Sequence, residues 1–334
     1  MMIDPQAHLD LLAKPVGSLG RLETLAVRLA TIQQRLDPVT MPRRLVLFAG
    51  DHGVVAQGVS AWPSEVTGMM VATIAAGRAT SSALAKAHHC DLRLVDVGSI
   101  APELADPPGF YARALVAAGT QDLSLGAAMT MAQFNAGWAI GADEARRAVE
   151  LGYGVLIAGE MGIGNTTAAA CLTGLLAGAA ETGRGAGADD ATLTRKQAIV
   201  AAAIVRAAPL LADHPRAAIA AVCGYEIAAM AGFFAKGAAL GATLLLDGYV
   251  ATAAALIAER LRPGTATRMI AAHQSAEPGH RAALAALGLE PLLDWDMRLG
   301  EGTGALVALP LLDSAAALMR DVARLDELAL PGAG

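Results

Sequence analysis

Aromatic side chains are scarce in this chain, 4% of 334 residues, although 54% of the sequence is hydrophobic. Alanine and glycine carry the excess, which points to tightly packed helices and strands. No run of about 20 uncharged apolar residues stands out as a membrane span. The nearest candidate, Ala238 to Ala258, is interrupted by Asp247 and flanked by Gly241 and Gly248. The first residues include Asp4 and Asp10 and no apolar signal core, so a cytoplasmic, non-membrane protein is expected. Cysteine is limited to Cys90, Cys171 and Cys223, far apart and set among apolar residues. They read as reduced core thiols. Neither a CxxC nor an HExxH spacing occurs, and no metal or cofactor is expected. Lysine occurs four times, at Lys14, Lys86, Lys196 and Lys236, and the net charge is −6. Without a basic cluster, nucleic acid is not an expected partner.

What the chain does have is a rhythm. Short apolar runs end in Gly, Asp, Glu or Ser, and a helical stretch follows. Such runs begin at Leu45, Leu92, Ala114, Gly154, Ile219, Thr243 and Met269. Strands alternating with helices imply an α/β fold, a parallel sheet with helices on both faces. Ligands bind such sheets at the carboxyl ends of the strands. Polar residues gather there: Asp51, His52, Asp96, Glu160, Glu226, Asp247, His273 and Ser275. About half of them need only end strands or cap helices, Asp96 and Asp247 above all. Two regions break the rhythm. Leu11, Leu12, Leu22, Leu25, Leu29 and Ile32 are spaced as in helices, and residues from about 305 to 330 also read as helical before the closing Leu330-Pro-Gly-Ala-Gly334. The expected organisation is therefore a large α/β domain over 41–304, with a small helical lobe built from 1–40 and 305–334.

Two segments carry chemistry. In Arg298-Leu-Gly-Glu-Gly-Thr-Gly304 a single carboxylate, Glu301, sits among three glycines. It is either a solvated turn or an acid held against a small molecule. In Gly159-Glu-Met-Gly-Ile-Gly-Asn-Thr-Thr167 a glycine turn opens a helix. Successive N–H groups and a helix N-terminus suit an anion. Gly162, Gly164, Asn165 and Thr166 are the candidate phosphate residues, with Gly162 expected to need glycine for its backbone angles. Asn165 stands where a P-loop has lysine, and Thr167 where a dinucleotide fingerprint has its third glycine, so a monophosphate fits better. A capped helix without ligand is the alternative. Glu160 would repel phosphate and suits a ribose hydroxyl or a cationic centre. Lys196 is either a solvated lysine or the cation of the site. His273 and His280, flanking Ser275-Ala-Glu-Pro-Gly, read as structural hydrogen-bonders.

Together these segments resemble the nicotinate-nucleotide–dimethylbenzimidazole phosphoribosyltransferase family. Lys14-Pro-Val-Gly-Ser-Leu-Gly-Arg-Leu-Glu23, Ala49-Gly-Asp-His-Gly-Val-Val-Ala-Gln-Gly-Val-Ser60, Leu246 to Leu256 and Ala272 to His280 extend the likeness from Lys14 to about Leu312. The resemblance implies transfer of the phosphoribosyl group of nicotinate mononucleotide to 5,6-dimethylbenzimidazole, giving α-ribazole 5′-phosphate and nicotinate for the lower ligand of cobalamin. It implies a homodimer with a parallel sheet and a small helical lobe. Carried over by motif, Glu301 is the general base and Glu160 the second acid. Gly162, Lys196 and Ser275 contact the nucleotide, while Ser64, Met161 and Leu299 surround the aromatic base. Asp51 and His52 are grouped with the substrate-binding residues. The chain departs from the family pattern at Met69, where a glutamine is usual, over Ile74 to Ser82, and at Gln121-Asp-Leu-Ser-Leu. These departures leave open a different aromatic acceptor within the same family. A non-catalytic mononucleotide-binding protein is the other alternative.

Overall fold

The computed structural model describes residues 3–185 and 187–328. The closing Leu330-Pro-Gly-Ala-Gly334 of the expected C-terminal segment, and residue 186 in the glycine-rich stretch 183–190, lie outside the described residues. Helices α1 (Pro5–Asp10) and α2 (Arg21–Gln33) precede strand β1 (Arg43–Gly50); α3 (Glu65–Ala75) and α4 (Thr80–Ala87) lead to β2 (Asp91–Gly98) and β3 (Tyr111–Arg113). Helix α5 (Met131–Glu150), β4 (Val155–Met161), α6 (Asn165–Ala177), α7 (Asp190–Ala207), α8 (Pro215–Ala220), α9 (Tyr225–Ala239), β5 (Thr243–Leu246) and α10 (Tyr249–Leu261) follow. The chain then forms β6 (Met269–Ala271), β7 (His273–Gln274), α11 (His280–Ala286), β8 (Leu293–Asp294) and α12 (Thr303–Asp321).

Six strands form one parallel sheet in the order β3-β2-β1-β4-β5-β6. The order reverses direction between β1 and β4, and that switch opens a crevice at the strands' carboxyl ends. Each strand feeds two cores, because successive side chains point to opposite faces. Val46, Phe48, Leu156, Ala158, Leu244 and Leu246 pack into one core, beside Phe134 of α5 and Phe233 of α9. Leu45, Leu47, Val155, Ile157 and Leu245 pack into the other, beside Leu29 of α2, Ile74 of α3 and Leu309 of α12.

The alanine and glycine excess has a location. A Cβ at Gly141 of α5 would overlap the Ala229 backbone of α9, and one at Gly232 of α9 would overlap the Trp138 backbone of α5. The two helices approach backbone to backbone, which only small residues allow. The two ends of the chain meet: Ala13 N donates to Ala323 O at 2.8 Å and Leu325 N to Leu11 O at 2.8 Å. Helix α12 packs on α2 and α4. By length and composition alone it is apolar enough to cross a bilayer, which the expectation of no membrane span did not include. Its apolar side is occupied by the second core.

Two expected strands differ. The run from Ala114 follows the three-residue β3 as irregular chain, yet its Ala114, Val116 and Gly119 N–H groups still reach the carbonyls of Asp96, Val97 and Gly98. Small residues and a glycine give that run little to pack. The run from Ile219 is the end of α8 and the turn into α9. It is fully buried, and a short buried apolar run has no period that separates strand from helix. Glu226 consequently sits in the first turn of α9, not at a strand end.

Candidate active site

The carboxyl ends of β4 and β5 and the Arg298–Gly304 loop enclose a cavity of about 450 Å³. That volume suits a small organic ligand. Its apolar wall includes Val59, Val66, Met70, Met161, Ile163 and Leu299. Glu160, Glu301, Asp247, His273, Ser275 and the start of α6 supply the polar side.

Strand β4 ends in Glu160 and Met161, and the chain turns through Gly162-Ile163-Gly164 into α6. Gly164 is in the left-handed region, φ 92°, and a Cβ there would crowd Val55 and His52. Gly162 is different from the expectation. It is not left-handed; a Cβ on it would strike the Gly50 carbonyl at the end of β1. Glycine is required there by the close approach of β1, not by its backbone angles. The turn is held from below by Thr67, whose hydroxyl oxygen accepts from Ile163 N at 3.1 Å. Gly164, Asn165 and Thr166 line the cavity, so the N-terminus of α6 faces it.

Lys196 stands behind that turn. It is 1% exposed, and its Nζ donates to Thr166 Oγ1 at 2.8 Å and to Gly183 O at 3.1 Å. Of its two readings, the solvated lysine is therefore excluded. Burial pulls its pKa below the usual lysine value, with Glu277 acting in the opposite sense. Among the described residues no carboxylate forms an ion pair with it. A buried cation beside a helix N-terminus is a place for an anion. Arg184 and Gly185 are on the cavity wall at this end.

At the other end lies Glu301, 4% exposed and with φ 57°. A left-handed glutamate is uncommon and persists only where its surroundings impose it. Asp247, just past β5, accepts from Gly302 N at 3.0 Å, Gly304 N at 2.8 Å and Ala305 N at 3.2 Å. It thereby caps α12 and fixes the loop directly after Glu301. Ser81 of α4 donates its hydroxyl to Glu301 Oε2 at 2.9 Å. Burial raises the Glu301 pKa; Ser81 opposes the rise and Asp247 adds to it. Glu160 accepts a hydrogen bond from the Asn165 amide. Burial first, then the charges of Asp247, Glu226 and Glu301, push its pKa well above the usual carboxylate range. A Cβ at Gly300 would run into the Glu160 carboxylate, so that glycine brings the two acidic segments together.

Ser275 is positioned by a chain of hydrogen bonds. Its N–H donates to His280 Nδ1 at 2.8 Å. His280 Nε2 lies 2.8 Å from Thr252 Oγ1, which donates to Gly248 O at 2.9 Å. The network assigns the His280 proton to Nε2. Burial, and then His273, pulls its pKa down to about 3, so the ring stays neutral. His280 thus has the structural role expected of it, whereas His273 lies on the cavity wall with its Nε2 3.7 Å from Asp247 Oδ1.

The remaining expected residues lie elsewhere. Asp51, His52 and Ser64 line a second cavity of about 640 Å³, which meets the first at Ser60 and Trp62. His52 Nε2 pairs with Glu226 Oε1 at 2.7 Å, both fully buried. Burial opposes charge on His52, but Glu226 and then Asp51 outweigh it and raise the pKa. The segment from Lys14 to Glu23 touches neither cavity. Lys14 Nζ meets Glu23 Oε1 at 3.0 Å, and Glu23 also accepts from Gly17 N and Leu19 N, an internal clasp. Met69 is 66% exposed and off the cavity wall, whereas its neighbour Met70 is on it. The departure at position 69 therefore lies off the wall of this cavity. Ser81, Arg298, Tyr249 and Glu277 belong to the site and were not singled out by sequence. Arg298 lies inside the Glu301 motif, and Ser81 lies inside the departing segment Ile74 to Ser82, but its contact with Glu301, 220 residues away, has no counterpart in the spacing.

Comparison with known proteins agrees with this geometry. A family profile described as phosphoribosyltransferase matches residues 1–329. The chain is similar to the nicotinate-nucleotide–dimethylbenzimidazole phosphoribosyltransferase of Thermus thermophilus, with 46% identity over 315 residues, 93% of each chain. It is similar to the enzyme of the same name from Pseudomonas putida, at 44% over 332 residues, covering 98% of this chain and 94% of that one. The crystal structure of CobT from Thermus thermophilus superposes with a TM-score of 0.92 at 44% identity, covering 97% of this chain and 96% of that one.

Proposed function

The chain belongs to the nicotinate-nucleotide–dimethylbenzimidazole phosphoribosyltransferase family, and from that premise we propose how its cavity carries out the reaction. The protein is a pentosyltransferase. It moves the phosphoribosyl group of nicotinate mononucleotide to 5,6-dimethylbenzimidazole, giving α-ribazole 5′-phosphate and nicotinate, a step in assembly of the cobalamin lower ligand.

In this reading the α6 N-terminus, Thr166 and Lys196 hold the phosphate, and Ser275 contacts the nucleotide. The aromatic base lies against Met161, Ile163 and Leu299, with its N–H toward Glu301. One ring nitrogen of the base attacks the anomeric carbon from the face opposite the pyridinium. The new C–N bond forms as the bond to nicotinate breaks, and that electron pair neutralises the pyridinium nitrogen. The proton of the other ring nitrogen passes to Glu301. Attack from the opposite face inverts the β-linkage to α. Glu160 faces the developing positive charge or the ribose hydroxyls. Anchoring the phosphate at one end orients the reacting carbon at the other. The observation that carries the assignment is the buried Glu301 carboxylate, held left-handed on the cavity wall with its pKa raised toward a better proton acceptor.

A cytoplasmic homodimer, with the helical ends as a small lobe around residues 41–304, is part of the same proposal. Exposed Trp62 and Ile100 at the second cavity support a covered apolar face, and the pairing of residues 11–13 with 323–325 supports the lobe. The decisive experiment is Glu301→Gln. The variant should fold and bind nicotinate mononucleotide, while turnover with dimethylbenzimidazole, followed by mass detection of the product, falls by at least about 10²-fold. Wild-type turnover in that variant would remove Glu301 from the role.

A further inference from the structure

Helix α4 begins at Thr80 with Ala79 as its cap residue, and an alanine side chain caps nothing. The first turn of a helix leaves N–H groups without partners. On its inner side that turn is under cover, Ser81 being fully buried and Ala79 nearly so, while Thr80 is exposed. What meets it is the Glu301 carboxylate, arriving from a loop 220 residues further on. The Ser81 hydroxyl donates to Glu301 Oε2 at 2.9 Å, and the Ser81 N–H adds a second favourable contact. Asp247 fixes the backbone of the loop on Gly302, Gly304 and Ala305 but does not touch the Glu301 side chain. Among the described residues, the hydrogen-bond partner of that side chain is Ser81.

We infer that Ser81, at the N-terminus of α4, is a positioning residue for the general base, aiming the Glu301 carboxylate into the cavity and setting how readily it takes a proton. The inference rests on the general-base reading of Glu301. Its chemistry is simple. A hydroxyl and a helix N-terminus favour the charged carboxylate, whereas burial and the Asp247 charge disfavour it. The charged and titratable groups that share the cavity wall with Glu301 are Glu160 at the end of β4, Asp247 after β5, Tyr249 on α10, His273 on β7, Glu277 just beyond it, Arg184, and Arg298 on its own loop. Arg78 and Lys86, beside and on α4, are exposed. Asp313 on α12 is engaged with Arg43 and Thr40. Ser81 is therefore the neutral donor that offsets burial and the Asp247 charge.

The test is the pH profile of kcat/KM with nicotinate mononucleotide and dimethylbenzimidazole. Ser81→Ala removes the hydroxyl with little change of volume. Because the lost donor favoured the carboxylate, the acid limb should move up by about one pH unit. The plateau should fall by several-fold as orientation is lost. Ser81→Thr restores the hydroxyl and should restore both. A purely structural role would lower the melting temperature and leave the limb where it was. An unshifted limb in folded Ser81→Ala overturns the inference. Should that variant not fold, Ser81→Cys, a weaker donor of similar size, reads the same limb, and no shift there overturns it equally. Glu301→Gln separates the two layers: wild-type turnover in it defeats the general-base reading. An inactive Glu301→Gln beside an unshifted Ser81→Ala defeats only the inference about Ser81.

Discussion

Glu160 and Lys196 show what the site costs at the scale of one residue. Glu160 is an acid whose folded pKa is raised above its unfolded value, first by burial. The native state then keeps a proton that the unfolded state releases, so stability is fully present below the unfolded pKa and is lost as pH rises through the folded one. Glu160→Gln carries no such charge. Between pH 5 and pH 8 its melting temperature should fall less than that of the wild type. Each pKa unit of relief is about 1.4 kcal/mol, or roughly 2 °C or more at this size. Turnover should drop at the same time. An equal slope in both proteins would mean that Glu160 ionises freely in the fold. Lys196 is a buried cation whose pKa is lowered by burial, a penalty that a bound anion would relieve. Lys196→Met should raise the melting temperature of the free protein and raise KM for nicotinate mononucleotide by about 10–100-fold. KM for dimethylbenzimidazole should change little. Thermal melts and initial rates check both signs, and equal losses for both substrates would place Lys196 outside the phosphate site.

At the scale of elements, the loop around Glu301 depends on one side chain from another strand. Asp247 accepts from three backbone N–H groups at the start of α12. Asp247→Ala would strand those donors under cover, at a cost of about 1–3 kcal/mol each for a truly buried group. Turnover should fall more than nucleotide binding, since the loop carries the base. Isothermal titration against rate measurements distinguishes the two; a variant with normal kcat would show that the glycine loop holds itself. The turn before α6 depends on glycine for two different reasons, a left-handed backbone at Gly164 and the Gly50 carbonyl at Gly162. Gly162→Val should therefore disturb the β1–β4 junction, lowering stability and the affinity for both substrates together. A selective loss of mononucleotide affinity, with an unchanged melting temperature, would contradict this. Periodicity and terminating residues located β1, β2, β4 and β5, because each has an apolar stretch closed by a glycine or a carboxylate at or just beyond its end. They misassigned the run at Ile219, because a segment buried on every side carries no amphipathic period.

Across the whole molecule, two cores share one sheet, and α12 covers the second of them. It closes over Leu45, Leu47, Ile157 and Leu245 together with α2. A chain ended at Gly302 would retain all six strands of the main sheet yet expose that face. Such a chain should fail to unfold cooperatively and should bind hydrophobic dyes, in contrast to the sharp transition of the full protein. A sharp transition would show that the other helices suffice.

The sequence by itself determined the α/β class, the strand ends that carry chemistry, and the two glycine segments with Glu301 and Glu160. Those features are local: a period of two, a terminating glycine, an acid beside it. The resemblance to a phosphoribosyltransferase family also rested on contiguous motifs, which is why it was legible. Only the tertiary structure decided that Lys196 is buried behind Thr166 and that Met69 faces outward while Met70 lines the cavity. It alone decided that Asp51, His52 and Ser64 lie on a second cavity. It also brought Ser81 onto Glu301 across 220 residues. The physical reason is that burial and cross-chain hydrogen bonds depend on which elements meet, and no spacing within a single segment encodes that meeting.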